Sequence, residues 1–467
     1  MVNFTSIKLS AVAALAVFTQ LATAQTLSIT TTEAGTLQSL VGDSVTMYST
    51  QSISVSGPIN GTDLLCLRRM TGVDSVRLGI TGGKLTSIDL SGANIVAGGF
   101  YYLNYEAKDN ELGDYVFYQS TKLKEIKMPQ SITRIGSSAF QQTDLDSADI
   151  PEGVKYIGIS AFNMIYSLKE VSLPSTLDTL MNSAFSGCSE LEIVKFHPNA
   201  PIATIRSMAF MSTPKLTTLE LSNSIKEIGL YAFYNSGLTS LTLPSSITTL
   251  GASAFVGCAS LATLGELPAS LTSIGAKAFQ GTKLTAISVA SDNPIYHSEG
   301  GLLYETAKNM IVVYPAGSEA TAFEIPASVD SIAEGAFYGA SSLASLTFAG
   351  SPGVAAGVFN QCTGLATLNF LATTPPTFRA ATLNNVADTV TAYVPEGTED
   401  AYEAALANVS NKVVIVNRPT SIASATSSST ATEVARYNLS GQKLATPTKG
   451  INIVKYSDGT TRKEVVK

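Results

Sequence analysis

No tryptophan occurs in this chain, and histidine occurs only as His197 and His297. With two imidazoles, acid–base catalysis has little to draw on. A nucleophilic triad would need one of them beside a serine and an aspartate, and no nucleophile-elbow sequence marks such a serine. Charge is also scarce. Asp, Glu, Lys and Arg make up 14% of the residues, against about a quarter in ordinary globular domains. The formal net charge is −7, which argues against nucleic acid as a partner, because phosphate binding needs a concentrated basic face. The glycine-rich GITGGKLT (79–86) fails as a phosphate loop: its glycine spacing is one short, and Leu85 stands where a hydroxyl is required. After the first 24 residues no apolar run reaches the roughly 18 residues a membrane-spanning helix needs.

Serine, threonine and glycine fill the place of the missing charge, and 45% of the 467 residues are hydrophobic. The N-terminus reads as a secretory signal peptide, with Lys8, the apolar LSAVAALAVF (9–18) and a small-x-small site ATA (22–24) leaving Gln25 as the mature end. Four cysteines in an exported chain suggest disulfides as a default.

Phenylalanine recurs at 117, 140, 162, 185, 210, 233, 255, 279, 337 and 359, preceded by alanine in eight of the ten cases. The steps run from 22 to 25 residues except for one of 58, which holds residues 289–326 and reads as an inserted hairpin-rich coil. A period of about 23 is one turn of a solenoid. In the unit SLKEVSLPSTLDTLMNSAFSGCSE (167–190), Val171 and Leu173 alternate with polar residues as a strand does. Pro174 ends that strand, Leu177 and Leu180 mark a second short one, and the SAF turn drops Phe185 inward. The slot three places after each phenylalanine takes Ser, Thr, Ile, Ala or Cys, so Cys188, Cys258 and Cys362 read as compact core residues. Cys188 and Cys258 are three coils apart, roughly 15 Å, beyond the ~7 Å a disulfide allows. Cys66 stands alone and also reads as core.

Units of the form L-x-x-I-x-L-P-x-x-I-x-x-I-G-x-x-A-F-x-x-C, as in LTSLTLPSSITTLGASAFVGC (238–258), resemble the BspA-like leucine-rich repeats of bacterial surface proteins over about residues 110–375. The expected fold is a β-rich solenoid with this organisation: signal peptide 1–24; N-terminal cap and irregular coils 25–109; repeats 110–371; C-terminal cap 372–417; Ser/Thr linker 418–432; and a small β-module 433–467. The cap holds a helix from about Thr398 to Leu406, with Thr398 as N-cap. In the last module, YNLSGQKL, KGINIV and the terminal VVK resemble C-terminal sorting segments of Bacteroidota proteins that use type IX secretion.

In each first strand the middle polar residue faces outward. That slot gives Lys127, Asp149, Ser172, Lys195, Glu220, Thr242, Ser288, Thr347 and Asn369, charged and alternating early, neutral later. Lys127, Asp149, Lys195 and Glu220 are therefore the candidate binding residues; a solvated polar row is the plainer alternative. The resemblance implies adhesion to a host matrix protein or to other bacterial cells. A glycan-binding surface protein, using tyrosines such as Tyr101, Tyr102 and Tyr105, and a passive coat component are the other readings. No catalytic residue, cofactor or metal is expected.

Overall fold

Three parallel ladders run along the array, one for each side of the coil. The computed structural model describes residues 25–74, 80–102, 104–407, 409, 413–418, 432–438, 442–457 and 461–466. The expected signal peptide, nearly all of the Ser/Thr linker, Gly79 of the glycine-rich stretch and, in the last module, Ser440, Gly441, Asp458 and Gly459 lie outside the described residues. The first ladder joins Glu125–Lys127, Ala148–Asp149, Glu170–Leu173, Ile193–Phe196 and Thr218–Glu220, all parallel. The second joins two-residue strands from Arg134–Ile135 to Ser273–Ile274.

The third ladder is made by the phenylalanine turns, which arch from one coil to the next. Ser183 N–H donates to Ser207 O (3.0 Å), Phe185 N–H to Ala209 O (2.8 Å) and Gly187 N–H to Met211 O (2.8 Å). The residues two before and two after the ring take positive φ, 57° at Ser183 and 77° at Gly187. Such angles favour glycine and small polar residues, which suits the Ser, Asn and Gly at many of these positions, although Tyr115, Met164, Met208 and Tyr231 adopt them as well.

Inside the ladders, Leu168, Val171, Leu173, Leu177, Leu180 and Phe185 of one coil are all buried. The rings from Phe117 to Phe279 stack in one column, centroids 5.0 to 5.7 Å apart and tilted by no more than 17°. The hydroxyl-rich composition has a use in the same frame. Where the first strand stops, Thr176 donates to Val154 O (2.8 Å), Ser222 to Ala200 O (2.7 Å) and Ser246 to Ile225 O (2.6 Å). Each hydroxyl satisfies a carbonyl of the preceding coil that no strand reaches.

The 58-residue step holds one coil without phenylalanine. Tyr296–Glu299, Leu302–Glu305 and Met310–Val313 form an antiparallel sheet, and the last of these rejoins the array beside Ser331–Ile332. Tyr314 takes the ring position, stacked on Phe337 at 4.6 Å. The buried apolar residues divide into two clusters at this hairpin. Beyond it the rings of Phe337 and Phe359 are tilted by 52°, but the coil register continues. Leu383 sits between positive-φ Ala381 and Asn385, and its turn accepts from Phe359 N–H and Gln361 N–H (both 3.1 Å). The arch pattern thus extends into residues 372–417.

At the N-terminal end, Gln25–Thr30, Thr50–Ile59 and Ser87–Asp89 prolong the first sheet. A helix, Gly61–Met70, lies beside them; it begins in a reciprocal cap between Asn60 and Asp63. In the far segment, Val390–Pro395 pairs with Val413–Arg418 around a helix Glu399–Leu406. Thr398 precedes that helix, but its side chain does not cap it: the hydroxyl is drawn to Pro395 O instead (2.7 Å). Four antiparallel strands, Glu433–Asn438, Lys443–Leu444, Gly450–Tyr456 and Thr461–Val466, make the final module.

Candidate binding face

Strand alternation fixes which side chains leave the first sheet. Val171 and Leu173 turn inward, so Ser172 turns out, and in-register pairing repeats that direction in every coil. Asp89 pairs with Lys127, Lys127 with Asp149, Asp149 with Ser172, Ser172 with Lys195 and Lys195 with Glu220. The four residues expected from the sequence therefore fall on one continuous row.

What spacing alone does not reveal is how the row is neutralised. Lys127 Nζ lies 3.7 Å from Asp89 Oδ2, and Lys195 Nζ lies 3.0 Å from Glu170 Oε1. The hydrogen bond that Lys195 donates to Glu170 raises the Lys195 pKa above its ordinary value. Lys124 reaches Asp144 at 3.3 Å beside the row. These pairs span neighbouring coils and are solvent-exposed, so each contributes at most about 1 kcal/mol. A partner can exchange them for its own charges at little cost. The row ends at Glu220. Among the described residues Ser240–Leu241 pairs only with Thr263–Leu264, leaving Thr242 exposed at a separate short sheet and Ser288 exposed beyond it. A second row, Glu324, Thr347, Asn369 and Tyr393, forms on the later sheet; there Asn369 Nδ2 donates to Ser345 Oγ at 3.1 Å.

The tyrosines divide. Tyr101 is 1% exposed and cannot stack on a sugar, which corrects its place among the glycan candidates: the strand Gly98–Tyr102 turns it into the core. Tyr102 and Tyr105 join Tyr115 and Tyr118 in a surface cluster, with contacting centroids 5.4 to 6.3 Å apart. The latter two were not singled out by the sequence, yet their positions beside Phe117 in the first arch mark them as turn residues. The guanidinium of Arg68 lies 4.8 Å from the Tyr102 ring centroid.

All four cysteines are unpaired and buried. The thiols of Cys188, Cys258 and Cys362 donate to the carbonyls of Phe162, Phe233 and Phe337, one coil back, at 3.0 to 3.1 Å. Burial pushes the Cys66, Cys188 and Cys362 thiols up to about 12. We expect all four to resist a thiol reagent such as dithionitrobenzoate at pH 8 until denaturant is added; prompt reaction of the folded chain would place one at the surface. The histidines sit apart. His197 Nδ1 accepts from Asn199 N–H at 3.2 Å. His297 meets Thr306 Oγ1 at 2.9 Å and stacks on Tyr304.

Residues 100–200, 195–299 and 316–432 match the family described as BspA type Leucine rich repeat region, in six copies. Among solved structures, a leucine-rich repeat protein from Bacteroides ovatus is similar, at 23% identity over 79% of this chain and 84% of that chain, with a TM-score of 0.53. A leucine rich cell surface protein from Faecalibacterium prausnitzii matches at 22% identity over 68% and 86%, TM-score 0.45. The pneumococcal vaccine antigen PcpA matches at 16% over 54% and 85%, TM-score 0.32. No curated protein matches the chain.

Proposed function

The chain belongs to the BspA-type leucine-rich repeat family, and from that premise we propose that it is an exported, surface-displayed scaffold that binds a protein partner through Lys127, Asp149, Lys195 and Glu220. The partner class is a host matrix protein or the surface of another bacterial cell. One observation carries the reading: opposite charges are held in register along a single rigid row. A row of this kind favours orientation and specificity over raw affinity. Export rests on the signal-like N-terminus and the sorting-like C-terminal module. No helix among the described residues is long and apolar enough to cross a membrane.

The test is capture of matrix proteins and of bacterial cells by the mature chain, followed by the triple variant Lys127→Glu, Lys195→Glu, Glu220→Lys. Binding should fall about tenfold or more and weaken as salt is raised. Unchanged binding by the variant would remove this face from the reading. The tyrosine cluster supports a second reading, a glycan site. In that case binding is nearly insensitive to salt and is lost when Tyr102, Tyr105, Tyr115 and Tyr118 are changed to alanine.

A further inference from the structure

The arch ladder is complete up to the arch of Phe279; beyond it, among the described residues, Gly335 and Gly357 N–H donate to no carbonyl, but the ring-position bonds of Phe337 and Phe359 persist. In every arch from Phe117 to Phe255, the N–H groups two before, at and two after the ring donate to carbonyls of the next arch, as Tyr231, Phe233 and Asn235 do to Ala252, Ala254 and Val256. The arch of Phe279 has no such neighbour, because the following coil carries no phenylalanine turn. Its chain passes from Tyr314 through Pro315 and Ala316 directly toward the next strand. Among the described residues, the N–H groups of Lys277, Phe279 and Gly281 donate to no carbonyl. Across the gap stands the arch of Phe337, whose Ala336 carbonyl is taken by Tyr314 N–H at 2.8 Å.

A cavity of about 250 Å³ opens between these two arches, lined by Phe279, Met310, Val312, Tyr314, Ala316 and Ala336 among others. Apolar cavities of about 150 Å³ accept a benzene ring, so this one has room for an aromatic side chain. Polar residues Lys277, Gln280, Thr282 and Glu334 also line it. Lys277 Nζ and Glu334 Oε1 meet over it at 2.7 Å, both partly exposed, and Tyr338 closes on Gly281 from the side. A partly exposed pair of this kind is weak and opens readily.

We propose that this gap is a peptide-docking site that takes an aromatic side chain flanked by main-chain carbonyls, supplied by a partner protein. The occupant's chemistry follows from the repeat itself. Three amide donors at alternate residues call for carbonyls at alternate residues, and the cavity behind them, between the Phe279 ring and the Tyr314 ring that holds the missing phenylalanine's place, has room for a further ring. The bound segment completes the missing arch, as a strand completes an open sheet edge. The site lies on the turn side of the coil and does not depend on the charged row.

The probe is the acetylated, amidated peptide SAFSG, the arch sequence of residues 183–187, with SAASG as control. In the free full-length chain, hydrogen exchange at Lys277, Phe279 and Gly281 should be faster than at Tyr231, Phe233 and Asn235. SAFSG should slow those three amides by about tenfold or more, and SAASG should not. Ala333→Phe, at the rim, should abolish the protection while leaving exchange at Phe185 unchanged. The proposal is overturned if the three amides are already slow in the free chain. It is also overturned if the two peptides protect equally, or if protection appears equally at other arches.

Discussion

Replacing Phe185 with alanine should lower stability by about 3 to 5 kcal/mol, read as a lower midpoint in urea. The ring is fully buried. It lies 5.0 Å from Phe162 and 5.5 Å from Phe210, at interplanar angles of 3° and 1°. Neither neighbour can move in to fill the vacancy, because arch hydrogen bonds on both sides hold the coil spacing. The full cavity term is therefore expected, together with two aromatic contacts of about 0.5 to 1.5 kcal/mol each. Phe279→Ala makes the internal comparison. Its ring is stacked on Phe255, with the cavity beside Tyr314 on its other side, so the expected loss is smaller. Because each coil touches only its neighbours, Phe185→Ala should also tend to split unfolding into two steps. Equal losses for the two variants would mean that the column contributes no more in its interior than at its break.

The same column explains why so much of the fold was legible. A ring that must stack on its counterpart every coil forces a period, and a period survives in a single sequence. Tyr314 escaped notice for the complementary reason: it lies 35 residues after Phe279, since 314 − 279 = 35, and has neither the alanine before it nor the arch around it. Leu383 escaped because it is not aromatic, although its flanking residues adopt the same positive φ. The helix Gly61–Met70 lies in the segment expected only as a cap with irregular coils. Its start is written locally as Asn60 with Asp63 three places on, a recognisable capping pair.

For the candidate face, direction was legible and partnership was not. Alternation fixes that Lys127 and Lys195 point outward, whatever lies beside them. Which carboxylate each ammonium meets depends on the stagger between coils, and Lys195 turns to Glu170 rather than only to the residue directly opposite it. Aromatic exposure was less legible still. Tyr101 and Tyr102 are adjacent in sequence, and only the strand's facing decides that one is core and the other surface.

Arg68→Ala should cost about 2 to 4 kcal/mol, and the damage should be confined to the first coils. Arg68 is fully buried. Its Nη1 donates to Tyr115 O at 3.0 Å and Val116 O at 3.3 Å. In later coils the carbonyl before the ring accepts from the preceding arch, as Ala139 O does from Phe117 N–H. The first arch has no predecessor, and Arg68 supplies the donor. Burial pulls the guanidinium down to about 10, against the opposing influence of Tyr102 and Asp74, so it stays charged at neutral pH. Its Nε and Nη2 have no partner among the described residues. Alanine leaves the Val116 carbonyl unpaired, while Tyr115 O keeps Tyr118 N–H (3.1 Å), and it opens a hole behind them, whereas Arg68→Met refills the hole and removes the buried charge, so its cost should be smaller. Hydrogen exchange at Tyr115, Phe117 and Gln119 should quicken in both variants, with Phe255 unaffected. The pH dependence has a definite sign. The unfolded chain holds this proton more tightly than the native one, so the native protein gains stability as pH rises from about 10 toward the ordinary arginine range. Arg68→Met should lack that gain. If Arg68→Ala is as stable as the parent chain, the helix seals the end of the array by packing alone.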